Sequence, residues 1–316
     1  MQYRRLGHAG LKVSEISLGS WLTYGGYVGK ELAVQTIDKA YSLGVNFFDT
    51  ANVYSQGEAE RILGEALRPY PRSSYVLATK VRGPMGRLPN DQGLSRKHIM
   101  EQCEASLRRL GVEHIDLYYC HYPDPDTPID ETMRAMDDLV RQGKILYMGI
   151  SNMSADGIGE VVRTVREYGL HPVVANQPLY HMFARDIERE VIPLSQQHGI
   201  GQVVYSPLAQ GVLTGKYTSV AEAIPASRSA APEGSQAVRA WLREDLLAIV
   251  NRLKEVSSAF GLPLSVLALA WTLRLPAVSS AIVGASRPQQ IEENVKASGI
   301  ALSDEQWERV NAILTG

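Results

Sequence analysis

The chain has 316 residues, of which 45% are hydrophobic and 21% charged, and its 32 Lys and Arg against 34 Asp and Glu give a formal charge of −2. At this size roughly 75% of the unfolded surface can be buried, so the core stands without disulfides or a structural metal, and Cys103 and Cys120, the two cysteines, form no CxxC pair. The charge balance argues against nucleic acid or an anionic membrane surface as the main partner. No run of about 18 apolar residues could span a bilayer. The first residues, Met1-Gln2-Tyr3-Arg4-Arg5-Leu6, lack the apolar centre of a secretory leader. Together these features predict a soluble, cytoplasmic protein.

Short apolar runs rich in β-branched and aromatic residues alternate with amphipathic stretches along most of the chain. The runs ending near Ser20, Asp49, Lys80, His121, Ser151, Gln177, Ser206 and Gly284 read as strands. Between them, Glu31–Ser42, Glu58–Leu67, Ser95–Leu110 and Ile129–Arg141 read as helices. Ser55-Gln56-Gly57-Glu58 has the spacing of a capping box at the start of the second of these. Gly44, Gly111, Gly143 and Gly169 each follow a helical pattern, where a C-terminal cap takes positive φ. Residues Tyr217 to about Gln236, rich in Ala, Ser and Pro, read as one long loop flanking the site. Val238–Phe260 and Ser303–Leu314 read as helices added outside the repeat.

Eight strand–helix repeats with short connections predict an α/β protein: a closed parallel (β/α)8, or TIM, barrel with additional C-terminal helices, as a single domain over residues 1–316. The rival doubly wound fold places G-x-G-x-x-G just after an early strand. No such string occurs; Gly157-Ile158-Gly159 lacks the third glycine and precedes a helix.

Barrels of this kind do their chemistry at the C-terminal ends of the strands. Reading off those ends gives Asp49, Lys80 and His121, with Tyr54 a short step past Asp49. Taken singly, each has a plain structural role: a turn cap, a solvated strand end, a satisfied core histidine, one of 15 tyrosines. Four of them at successive strand ends face one mouth. A phenol with a pKa of about 10 is a sluggish acid; an ammonium beside it favours the phenolate. An aspartate keeps that ammonium charged and in place, and a histidine across the mouth donates to a carbonyl oxygen or relays the proton. Such a group lacks an electron source, so the reaction it suits is reduction of a carbonyl by a bound hydride donor.

The strings Phe48-Asp49-Thr50-Ala51-Asn52-Val53-Tyr54, Ala78-Thr79-Lys80, Asp116-Leu117-Tyr118-Tyr119-Cys120-His121 and Gly149-Ile150-Ser151-Asn152 resemble the aldo-keto reductase superfamily over nearly the whole chain. Within it, Gly93-Leu94-Ser95-Arg96-Lys97-His98-Ile99, Pro123-Asp124-Pro125-Asp126-Thr127-Pro128 and Tyr180-His181-Met182-Phe183 are most similar to the β subunits of voltage-gated potassium channels and their bacterial relatives. The animal channel subunits usually carry asparagine where His121 stands, so the resemblance implies an active reductase. Asp49, Tyr54, Lys80 and His121 match the family's catalytic tetrad. A homo-oligomer, tetrameric in that branch, is implied as well.

The resemblance further implies NADPH as hydride donor, with NADH as the alternative. Ser151, Asn152 and Gln177 would hold the nicotinamide carboxamide, which needs both a donor and an acceptor, and Tyr205 would stack on the ring. Ser20, Trp21 and Asp49 complete the contacts at that end. Ser206, Pro207, Leu208, Gln210 and Gly211, with Lys216 beyond them, match the pyrophosphate loop. The adenosine end falls on Gly284, Ser286, Arg287, Gln290, Glu293 and Asn294, the last three sharing a helix side by i, i+3, i+4 spacing. The commonest reductase pattern has Lys-Ser at the start of this stretch and Arg in place of Gln290, which leaves Arg287 and Arg228 as cations for a 2′-phosphate. Trp21, Tyr24 and Tyr122, with Tyr54 and His121, would line the substrate pocket and favour apolar or aromatic carbonyl compounds; Tyr24 and Tyr122 equally fit packing under the loops. The seven histidines form no metal-ligand spacing such as HExxH, so no metal is expected. The second functional reading is an NADP(H)-binding, redox-sensing subunit of a channel or other complex; a third, weaker one is a sugar-phosphate isomerase on the same barrel.

Overall fold

The computed structural model describes residues 1–220 and 232–315. An antiparallel hairpin, β1 (Tyr3–Arg5) and β2 (Lys12–Ser14), opens the chain. Eight parallel strands follow: β3 (Ile16–Gly19), β4 (Phe47–Asp49), β5 (Val76–Val81), β6 (Ile115–Cys120), β7 (Ile145–Ser151), β8 (Val173–Gln177), β9 (Gly201–Tyr205) and β10 (Val278–Gly284). They close in the order β10-β3-β4-β5-β6-β7-β8-β9. Outside them run α1 (Lys30–Ser42), α2 (Glu58–Leu67), α3 (Arg96–Leu110), α4 (Ile129–Arg141), α5 (Ala155–Glu167) and α6 (Val191–Gln197). Then come α7 (Pro232–Arg239), α8 (Glu244–Ala259), α9 (Leu264–Leu273), α10 (Pro288–Asn294) and α11 (Asp304–Thr315). This is the expected (β/α)8 barrel, and α8 and α11 pack together as additional helices. Gly157 and Gly159 lie inside α5, not in a strand-to-helix turn.

Every residue of β5 and β6 is buried, as a parallel strand covered on both faces requires. The pleat sorts them into two layers. Leu117 and Tyr119 of β6 join Phe47, Ala78, Ala175 and Val203 inside the barrel. Tyr118 and Cys120 turn outward onto the helices with Phe48, Ile99 and Met133. Each fully buried large apolar side chain contributes roughly 1.5–3 kcal/mol relative to exposure. Leu6 and Val13 of the hairpin join the inner cluster, and His8 N–H donates to the Gly199 carbonyl at 2.9 Å, ahead of β9. The hairpin therefore stoppers the N-terminal end, and the opposite end stays open for chemistry.

Gly44, Gly111, Gly143 and Gly169 take positive φ (85°, 68°, 70° and 60°), as the helix C-termini require. The capping box does not form. Ser55 and Gln56 are themselves left-handed, at φ 47° and 51°, and α2 is entered from Gly57 at φ 90° with no side-chain cap. The Ser55 hydroxyl donates instead to the Tyr24 carbonyl at 3.4 Å; Glu58 and Glu60 in the first turn face the helix dipole. The expected helix Val238–Phe260 is also broken. The N–H groups of Trp241 and Leu242 both donate to the Val238 carbonyl, ending α7, and Arg243 is extended before α8. At this break Trp241 meets the His181 ring at 4.3 Å and 88°. Of the expected loop, Pro232–Gln236 belong to α7; residues 221–231, Arg228 among them, lie outside the described residues. Among the described residues no single helix is long and apolar enough to cross a membrane. The α8–α9 pair passes that test only together, with a 92° bend, and α9 is buried along its whole length.

Candidate active site

The C-terminal rim of the barrel brings the four sequence-selected groups together. Asp49 ends β4, Lys80 lies near the end of β5, and His121 follows β6 with its N–H held by the Val81 carbonyl at 2.9 Å. Tyr54 is carried inward by the tight left-handed turn just described. Lys80 is wholly buried and Asp49 is 3% exposed. The Lys80 ammonium donates to Asp49 Oδ1, to the Thr50 carbonyl at 2.8 Å and to the Tyr54 hydroxyl at 3.5 Å. An ammonium has three hydrogens, so all are directed. Asp49 Oδ2 accepts from Gln177 Nε2 at 2.9 Å. The Tyr54 hydroxyl is 3.4 Å from His121 Nε2, and Tyr122 stacks on the His121 ring at 4.7 Å.

Burial pushes the Asp49 carboxyl up and the Lys80 ammonium down, and their mutual ion pair opposes both shifts. Every ammonium hydrogen is accepted and both carboxylate oxygens are engaged, an arrangement that favours the ionised pair against that burial. Burial, then the Asp49 carboxylate, hold the Tyr54 phenol well above its ordinary value. The sequence predicts that Lys80 lowers it; the net direction is instead upward, set first by burial. Burial, then the Lys80 and Arg82 charges, hold His121 well below the usual imidazole range. Its ring is neutral near pH 7, with Nδ1 buried and unpartnered.

Above this group opens a cavity of about 1400 Å³. At its floor the Ser151 hydroxyl donates to the Gln177 carbonyl at 2.8 Å, and Asn152 Nδ2 donates to Ser151 Oγ at 2.9 Å. Asn152 Oδ1 accepts from the Tyr205 hydroxyl at 2.9 Å. Ser206, Pro207, Leu208, Gln210, Gly211 and Lys216 continue the lining. In that loop the Ala209 and Gly211 N–H groups are already taken by the Ser206 and Leu208 carbonyls. Gly211 sits at φ 95°, where an added Cβ would stand 3.2 Å from Lys216 Nζ. At the far end Gly284, Ser286, Arg287, Gln290, Glu293 and Asn294 all face the cavity. Gln290 Oε1 accepts from the Ser286 N–H at 2.8 Å, and Glu293 accepts from Ser265 Oγ.

Two expected residues are not there. Ser20 is 1% exposed and gives its hydroxyl to Thr50 Oγ1 at 2.8 Å. Tyr24 is 1% exposed in the outer core, because the turn after β3 folds back through Tyr24 N–H to the Ser20 carbonyl. It packs under the loop and leaves Trp21 on the wall. Trp21 and Tyr122 do line the cavity. Sequence reasoning missed Arg82 and Ser265, which also line it. Arg82 stands two residues past Lys80 and was within reach of the strand-end rule; Ser265 comes from the start of α9, with no local signal. Backbone strain marks the same place. Eight described non-glycine residues have positive φ, and seven of them, Leu22, Ser55, Gln56, Arg82, Asn152, Ser206 and Gln210, line this cavity.

The lining fits a nicotinamide dinucleotide by the chemistry of its donors. Amide and hydroxyl groups surround the floor beside Tyr205, Lys216 follows a loop in which Gly211 takes a φ that strains other residues, and Arg287 with polar α10 residues lines the far end. No group of three or more metal-ligating side chains occurs among the described residues.

The barrel, its rim and this cavity define a protein of the aldo/keto reductase type. The sequence model of the Aldo/keto reductase family matches residues 15–315, and the chain belongs to that family. It is 45% identical over 303 residues to a "Probable voltage-gated potassium channel subunit beta" of Arabidopsis thaliana, covering 94% of this chain and 91% of that protein. A rice protein of the same description is 41% identical over 320 residues, covering 99% and 97%. A "Putative voltage-gated potassium channel subunit beta" of Schizosaccharomyces pombe is 44% identical over 304 residues, covering 93% and 87%.

Proposed function

We propose that the protein is an NADPH-dependent reductase of aldehydes or ketones, and that Tyr54 is its proton donor. The observation that carries this reading is the single hydrogen-bonded chain from Asp49 through Lys80 to Tyr54 and His121 at the floor of the cavity. Bound in this cavity, a reduced nicotinamide would supply a hydride to the carbonyl carbon. Tyr54, still protonated because burial raises its pKa, gives its hydroxyl proton to the carbonyl oxygen, and an alcohol results. The phenolate left behind is stabilised by the Lys80 ammonium 3.5 Å away, whose charge Asp49 maintains. Neutral His121 has one N–H to donate, and from Nε2 it orients the substrate oxygen toward Tyr54. In the same proposal Ser151, Asn152 and Gln177 hold the carboxamide, Tyr205 the ring, Lys216 the pyrophosphate, and Arg287, Gln290, Glu293 and Asn294 the adenosine end.

The test is loss of reduced-nicotinamide absorbance with a panel of aromatic aldehydes. Many turnovers per site support the reductase. The names of the relatives favour a second reading, an NADP(H)-binding accessory subunit of a channel. Oxidation that stops after one equivalent per site, with cofactor still bound, would support that reading.

A further inference from the structure

The structure assigns Arg82 a place in substrate selection: we propose that the site takes carbonyl compounds carrying a carboxylate, with Arg82 receiving it. The proposal rests on the reductase reading above and adds a charge to the substrate, where the aromatic wall alone suggested neutral compounds.

Arg82 is the first residue beyond β5, two positions past Lys80, and lines the cavity with Tyr54, His121 and Tyr122. Its backbone is pinned, since its carbonyl accepts from the Gly93 N–H at 2.9 Å. It sits at φ 143°, a conformation that costs an L-residue free energy and tends to persist where function requires it. The guanidinium is half-buried and its Nε is buried with no hydrogen-bond partner. No carboxylate among the described residues comes within 4.0 Å of it. Other half-buried arginines are answered: Arg109 by Glu60, Arg72 by Asp116, Arg274 by Glu188. The carboxylate of Asp124, close enough to feel Arg82, is already taken by the Leu94 N–H at 2.6 Å and the Thr127 hydroxyl at 2.7 Å.

A partly desolvated arginine with an unanswered donor is costly to hold unless an anion completes it. A planar carboxylate fits that fork with two parallel bonds. The charge of Arg82 also acts on His121 and Tyr122, so an anion bound to it lies beside the group that would orient the carbonyl. The fixed Lys80–Asp49 pair cancels itself, which leaves Arg82 as the cation the substrate side presents.

The experiment compares kcat/KM for 3- and 4-carboxybenzaldehyde with the corresponding methyl esters, in the wild-type protein and in Arg82→Gln and Arg82→Lys. The better acid is expected to exceed its ester by about 10-fold or more in the wild type, as a charge-assisted pair implies. That ratio should fall to about 1 in Arg82→Gln and be largely retained in Arg82→Lys. Raising the salt should shrink it in the wild type. A wild-type ratio near 1 for both acids, or the same ratio in Arg82→Gln, overturns the proposal. If no aldehyde turns over, the reductase reading fails by itself. The anion site is then decided by calorimetric titration with benzoate: binding that Arg82→Gln loses supports it, and equal binding, or none to the wild type, overturns it.

Discussion

Gln177 Nε2 lies 2.9 Å from Asp49 Oδ2, so the carboxylate that holds Lys80 with one oxygen holds an amide with the other. The strand ends of β4 and β8 are thereby tied across the barrel, 128 residues apart in sequence. Asp49 has no oxygen left unpaired. The Asp49 carboxylate is thus fixed from both sides.

Removing that carboxylate strands a buried cation. Asp49→Asn leaves the Lys80 ammonium with no counter-ion in a wholly buried position, and breaking such a pair typically costs about 3–5 kcal/mol. The urea midpoint should fall accordingly with the slope unchanged. The double variant Asp49→Asn, Lys80→Met removes the charge as well and should regain most of the loss while remaining inactive. A single variant as stable as the wild type would mean that Lys80 is neutral in the folded protein.

Tyr54→Phe deletes only a hydroxyl that bonds Lys80 and His121. Turnover should drop by roughly 10²–10⁴-fold, with the dissociation constant for NADPH, read by fluorescence titration, little changed. Because burial raises the phenol pKa, the acid form persists through neutral pH. Its activity is present below the folded pKa and lost as pH rises through it. The wild-type rate of the chemical step should therefore stay level until the pH passes about 10, the ordinary phenol value. A rate of that step already falling near pH 7 would point to another acid.

Most of this geometry was legible because parallel barrel strands are covered on both faces. Short apolar runs such as Val76-Leu77-Ala78 announce themselves, and the rule that chemistry sits at the C-terminal ends of such strands selected Asp49, Lys80 and His121 directly. The glycine C-caps were readable for a local reason, since few residues other than glycine tolerate that φ. Failures arose where a local pattern had two solutions. Ser55-Gln56-Gly57-Glu58 has the letters of a capping box, yet its residues serve to swing Tyr54 inward. The Val238–Phe260 pattern contains no Gly or Pro to mark the break, where Trp241 packs on His181. Ser20 and Tyr24 follow the first strand as Trp21 does, and only the three-dimensional turn decides which of them faces the cavity. The β1–β2 hairpin, with strands of three residues, is too short to carry a period.

His181 supplies a pH test of the fold. It is fully buried, its Nδ1 accepts from the Phe183 N–H at 3.2 Å, and its Nε2 has no hydrogen-bond partner. Burial lowers its pKa to about 3, against about 6.5 when unfolded. The unfolded chain thus binds a proton that the folded one refuses. Its contribution is full above about pH 6.5 and is lost as pH falls toward 3. Between pH 6.5 and 5 this group alone should remove about 2 kcal/mol. Chemical denaturation at the two pH values should show a smaller acid loss in His181→Gln than in the wild type. Equal losses would mean that the ring is protonated in the folded state.

Arg287 tests the cofactor preference. It is exposed on the cavity wall at the start of α10, and no carboxylate pairs with it among the described residues. Gln290, which stands where the commoner reductases have arginine, has its amide oxygen taken by both the N–H and the hydroxyl of Ser286. If NADPH is the cofactor, as proposed, Arg287 would receive its ribose 2′-phosphate, a charge-assisted contact that NADH cannot make. Arg287→Ala should raise the KM for NADPH about 10-fold or more while changing that for NADH little. Parallel rises for both cofactors would assign Arg287 to the shared pyrophosphate or to the fold of α10 and leave the 2′-phosphate to another group.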